Sequence, residues 1–124
     1  MSNRDCYLGP VQRYRLEQAV VPINEAFDAM CYLVGSVLTR PDYRDVDVRL
    51  ILDDTEFSRL FGAKLYQGYG HATALWTSLA VTYSRDLSAQ TGLDIDFQIQ
   101  AMTSANFDNG QRHALFVAKS IERA

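Results

Sequence analysis

The chain reads as a small α/β protein of the α+β kind: one mixed β-sheet with helices packed on it. Three observations lead there. Two segments, "DVDVRLILDD" and "LDIDFQIQ", alternate apolar and polar residues with the period of a strand. Two others, starting at Leu16 and Leu65, space their apolar residues three and four apart, as one face of a helix does. The resulting order is helix, strand, strand, helix, helix, strand, which closes most simply as helices laid on a sheet. At 124 residues this is a single domain, with a core over about 16–100 and a C-terminal tail over 101–124.

Residues 1–12 read as an irregular lead-in. Leu16, Val20, Ile23, Phe27 and Met30 then step by four, three, four and three. Pro22 either kinks this helix or starts the main one after a separate turn. "CYLVGS" at 31–36 is a short buried strand ending in a Gly-Ser turn, and "TRPDYR" is a loop broken by Pro41. In "DVDVRLILDD", Val46, Val48, Leu50 and Leu52 share one face; Asp45, Asp47, Arg49 and Ile51 share the other. "DDTEFSRLFG" is a short helix, with Asp54 or Thr55 as cap, Gly62 as stop, and Asp53, Asp54 and Glu56 as helix-start acids. Leu65, Tyr69, Ala72, Trp76, Leu79, Tyr83 and Leu87 define a long helix ended by "QTG". In the last strand Leu93, Ile95, Phe97 and Ile99 oppose Asp94, Asp96, Gln98 and Gln100. "SANFDNG" is a turn-rich loop, and the remainder is a short helix or a loose tail.

Composition narrows the function. Hydrophobic residues make up 48% and charged residues 22%, which is globular rather than disordered. A net charge of −3 gives no basic surface for duplex nucleic acid. Cys6 and Cys31 form no Cys-x-x-Cys and read as free thiols in a reducing cytosol, so a cytoplasmic location is expected. The N-terminus lacks an apolar signal core. Leu65–Ser84 is free of charge, but its polar residues and apolar stripe make it an amphipathic helix, and no membrane partner is expected.

The chemistry concentrates in three carboxylates. Alternation puts Asp45 and Asp47 on one strand face, roughly 7 Å apart along the chain. Such a pair repels unless a cation intervenes. Mg²⁺ takes oxygen ligands, a few of them carboxylates, with phosphates and waters completing its shell. "LDIDFQIQ" offers a second Asp-x-Asp. If it pairs beside the first strand, it brings a third acid to the site. Asp96, inside the strand, is favoured over Asp94, nearer its start. Gly35 lets the backbone approach a ligand, and Ser36 adds a hydroxyl to a turn able to aim N–H groups at phosphate. Arg40, Arg44 and Arg49 surround the pair and can balance anionic charge.

"LVGS", eight residues, then "DVDV" resembles the signature of the nucleotidyltransferase superfamily, whose members include DNA polymerase beta and the minimal nucleotidyltransferases of bacteria. The resemblance covers roughly residues 20–100, and "DIDF" matches the family's later acid. It implies a nucleotidyltransferase-like fold with Asp45, Asp47 and Asp96 as catalytic metal ligands. It also implies Mg²⁺ as cofactor, a nucleoside triphosphate such as ATP as substrate, and Gly35 and Ser36 at its phosphates. The implied reaction transfers a nucleoside monophosphate to an acceptor hydroxyl with release of pyrophosphate. The acceptor would be a small molecule, an RNA or a protein. The competing expectation is a regulatory or antitoxin-like binding module of the same fold, with little turnover and a toxin-like protein partner. Because the core uses most of the chain, a homo-oligomer or the tail is expected to complete the acceptor site, with Arg112 as a phosphate or acceptor contact. His71 and His113 read as locally partnered residues, and Trp76 as core.

Overall fold

The computed structural model describes residues 6–62, 73–108 and 110–116. Its strands are β1 (Met30–Val34), β2 (Val46–Leu52), β3 (Ile95–Ala101) and β4 (His113–Leu115). They form one sheet in the order β3-β2-β1-β4. β1 runs antiparallel to both β2 and β4, while β2 and β3 are parallel. The helices are α1 (Pro10–Ala19), α2 (Val21–Phe27), α3 (Asp54–Phe61), α4 (Ala74–Thr91) and α5 (Met102–Asp108). This is the small mixed sheet with packed helices that the sequence predicts. The parallel β2–β3 pair requires a crossover, and α3 and α4 lie within it.

α1 starts earlier than the expected lead-in allows. Pro10 occupies the first helical position, where its missing N–H costs nothing, and the Gln12 side chain accepts from Gly9 N–H at 3.2 Å. Pro22 opens a second helix instead of kinking one, with Val20 ending α1 and preceding α2. The start of the long helix expected from Leu65, together with His71, lies outside the described residues; α4 is described from Ala74, with Thr73 as its cap.

The core lies on one face of the sheet. Leu16 of α1, Val20 at the junction and Ile23 of α2 share one core cluster with Cys31 and Leu33 of β1, Val48 and Leu50 of β2, Phe97 and Ile99 of β3, and Trp76, Ala80 and Leu87 of α4. Burial pushes the Cys31 thiol up to about 12, so this cysteine is an inert core residue. α4 also closes the free edge of β3. Ser88 Oγ accepts from Ile95 N–H at 3.0 Å, Ser84 Oγ accepts from Phe97 N–H at 2.8 Å, and Trp76 Nε1 donates to the Ile99 carbonyl at 2.8 Å. Four residues of helix rise about 6 Å and two of strand about 6.6 Å, so serines four apart match alternate strand residues.

Two expectations beyond residue 100 are corrected. Residues 104–108 of "SANFDNG" are helix rather than loop, since α5 runs to Asp108. Its start is capped from another helix: Asp54 accepts from Thr103 N–H at 3.0 Å and also from the Thr103 hydroxyl. The following residues are neither helix nor loose tail as far as Leu115, because β4 adds to β1. Asn24 holds that junction, accepting from Cys31 N–H at 2.8 Å and donating to the Leu115 carbonyl at 3.2 Å. The cap of α3 is Asp53, whose carboxylate accepts from Glu56 N–H at 2.7 Å, rather than Asp54 or Thr55. Gly62 ends that helix as expected, at φ 110°.

Candidate functional site

The site grows from the start of β2. Val46, Val48 and Leu50 turn into the core, so alternation turns Asp47 and Arg49 to the other face. The parallel register sets Asp47 directly opposite Asp96. The antiparallel register on the other side sets Asp47 opposite Val34, the residue before the Gly35-Ser36 turn. Both turn residues lie in a short 3-10 helix, Gly35–Leu38.

Gly35 has a double reason to be glycine. Its φ is +82°, a region side chains rarely occupy, and a Cβ there would collide with Asp47 Oδ2. The close approach expected of this glycine is thus to the Asp47 carboxylate. Ser36 lines an open cleft of about 460 Å³, together with Arg40, Asp42, Tyr43, Arg44, Asp45 and Asp47. The sequence points to Arg40 and Arg44 in "TRPDYR" but not to Asp42 and Tyr43 between them. An acid and an aromatic within a loop flanked by Arg40 and Arg44 were the available signal.

The three expected carboxylates are distributed as follows. Asp45 and Asp47 face the cleft. Asp96 stands beside Asp47 in the ladder but lines a second groove, between α4 and β3. Asp94 is exposed before β3, and its carbonyl accepts from Val46 N–H at 2.9 Å. Arg49 lies between the paired acids, its Nη2 3.8 Å from Asp47 Oδ1 and 3.7 Å from Asp96 Oδ2. Its shorter bonds go to backbone: Nη1 donates to the Asp96 carbonyl at 2.8 Å and the Val48 carbonyl at 3.1 Å. Arg49 is not among the residues lining the cleft.

Electrostatically the site is over-supplied with acid. Burial pushes the Asp47 carboxyl above its ordinary value; Arg49 pulls it back down, and Asp96 and Asp45 push it up again. One guanidinium thus meets the field of three carboxylates. Also lining the cleft, Arg40 makes an exposed bidentate pair with Asp42, at 3.0 Å for both bonds, which holds the Asp42 carboxyl below its ordinary value. Arg44 is exposed on the cleft wall.

Among the described residues, no group of three or more His, Cys, Asp or Glu side chains is gathered tightly enough to hold a metal ion as it stands. The donor chemistry of the cleft still suits a hard dication. Mg²⁺ uses one or two carboxylates and draws its other oxygens from water and phosphate, and Asp45 and Asp47 supply two carboxylates to one open space.

Arg112, expected at a phosphate or acceptor, instead stacks over the Tyr32 ring at 5.2 Å, with Nη2 3.7 Å from the Met102 sulfur. Tyr32 is the register partner of Arg49, so the stack lies on the sheet face that carries Asp47. His113 pairs with Leu33 as a strand residue, and Trp76 is core. No helix among the described residues is long and apolar enough to cross a membrane.

Comparison with family models, with curated proteins and with solved structures finds no match. The functional reading therefore rests on the residues themselves.

Proposed function

We propose that the chain is a metal-dependent nucleotidyltransferase, moving a nucleoside monophosphate from a nucleoside triphosphate to an acceptor hydroxyl and releasing pyrophosphate. One observation carries the reading: Asp45 and Asp47 share an open cleft with Ser36, Arg40 and Arg44. Carboxylates and guanidiniums lining one cleft suit a ligand that is itself anionic and arrives with a cation.

In this reading Asp45 and Asp47 hold Mg²⁺. When bound, Mg²⁺ offsets phosphate charge and polarises the α-phosphoryl group. Ser36 and its turn contact the phosphates through hydroxyl and backbone N–H, and Arg40 and Arg44 neutralise the departing pyrophosphate. The acceptor oxygen bonds to the α-phosphorus while the bond to the bridging oxygen breaks, its electron pair leaving on pyrophosphate. Asp96 takes the hydroxyl proton and returns it to solvent; its side chain is 46% exposed, against 24% for Asp47.

A second reading is a nucleotide-responsive module with little turnover. It is favoured by Arg49, which already meets both Asp47 and Asp96 where a metal would compete for them. The deciding experiment is incubation with each labelled nucleoside triphosphate, Mg²⁺ and host lysate. Pyrophosphate release with a labelled product supports the transferase. Tight nucleotide binding without release supports the module.

A further inference from the structure

We infer that the groove between α4 and β3 is the acceptor pocket, and that it takes a small hydroxy acid with an apolar, ring-sized body. The inference rests on the transferase reading of the cleft. The groove is open to solvent and offers about 350 Å³, the low end for small-molecule sites. Its walls are mostly apolar, from Trp76, Ala80 and Val81 of α4 and Phe97 of β3, with Thr77 and Gln98 as polar neighbours. Val81 is 43% exposed, so apolar surface opens to solvent.

Two charged side chains line this apolar groove, Arg85 and Asp96. Arg85 is exposed and makes no ion pair or hydrogen bond with another described residue. A free guanidinium beside apolar walls selects an anionic group on a ligand that also buries carbon. Ser84, which also lines the groove, is committed to the Phe97 backbone and offers no competing polar group. Asp96 supplies the link to chemistry. It lies opposite Asp47, one strand spacing of about 4.8 Å away. A hydroxyl accepted by Asp96 on the groove side lies one strand from the cleft, with the Arg49 guanidinium between the two acids, 3.7 Å from Asp96 and 3.8 Å from Asp47. Its oxygen bonds to the α-phosphorus, pyrophosphate leaves with the electron pair of the broken bond, and Asp96 receives the proton.

Trp76 lines the groove and is the single tryptophan of the chain, so its fluorescence reports occupancy. The probes are para-hydroxyphenylacetate, its uncharged analogue tyrosol and its cationic analogue tyramine, titrated without nucleotide or metal. Saturable binding of the acid is expected, about tenfold tighter than either analogue. Arg85→Gln should erase that preference, and Val81→Asp should weaken all three. Both positions are exposed, and thermal melts check that both variants fold. Equal binding of the three probes, no binding, or a preference that survives Arg85→Gln overturns the inference. With labelled triphosphate and Mg²⁺ added, the acid should raise pyrophosphate release. No rise, while nucleotide still binds, overturns the acceptor role. Failure of nucleotide binding instead removes the transferase reading, while the probe titrations, run without nucleotide, still test the groove on their own.

Discussion

The two halves of β2 are built from one alternating pattern and covered in opposite ways. In the second half Leu50, Ile51 and Leu52 are all buried, and α5 packs against β2 and β3. In the first half only Val46 and Val48 are buried, and the other face carries Asp47 and Arg49 beside Asp96. The apolar half stabilises the fold. The charged half is left with more carboxylate than cation, an arrangement that opposes folding and marks a candidate site.

Substitutions can break or sharpen that contrast. The largest effect belongs to the apolar half. Leu50 is fully buried, so Leu50→Ala should cost about 2–5 kcal/mol in urea denaturation. A cost near zero would mean that this half does not anchor the sheet. Next comes the seam between the halves, where Gly35 meets Asp47. Gly35→Ala should cost on the order of 1–3 kcal/mol, through its positive φ and the collision with the carboxylate. In an Asp47→Ala background the collision disappears, so a double-mutant cycle should show coupling of roughly 1 kcal/mol. Independent effects would separate the two residues.

A smaller effect of opposite sign is expected from Asp47→Asn. The folded-state carboxyl of Asp47 is raised, chiefly by burial, so it binds its proton more tightly folded than unfolded. Its contribution is fully present below the unfolded value and is lost as pH rises through the folded one. Asp47→Asn should therefore melt higher than the parent at neutral pH, with the gap closing as pH falls toward the ordinary carboxylate value. A gap that widens on acidification would contradict the charge assignment. The smallest effect is at the cleft rim. Arg40 and Asp42 form an exposed pair, so Arg40→Ala should leave stability nearly unchanged while weakening triphosphate binding. An unchanged affinity would remove Arg40 from the phosphate contacts.

The same contrast explains what the sequence made legible. β2 and β3 announce themselves by alternation, and their parallel pairing turns two Asp-x-Asp segments into neighbours through Asp47 and Asp96. What the alternation could not carry was the partition of those acids: Arg49 bridges the pair, and Asp96 lines the groove while Asp47 faces the cleft. α5 was hidden because its cap comes from Asp54, on another helix, and because "SANFDNG" is rich in turn formers. β4 was hidden because three residues show no period, and its place depends on Asn24, 91 positions away from Leu115. Gly35 was legible as a close-approach glycine, but the group it admits, the Asp47 carboxylate, is set by the register of β1 against β2.

The most direct test of the central claim is calorimetric titration of a nucleoside triphosphate into the parent chain, Asp45→Asn and Asp47→Asn, each with and without Mg²⁺. The account predicts binding by the parent that requires Mg²⁺ and weakens at least about tenfold in each folded variant. Binding that persists without Mg²⁺ and is untouched by both substitutions, or no binding by the parent, would contradict it.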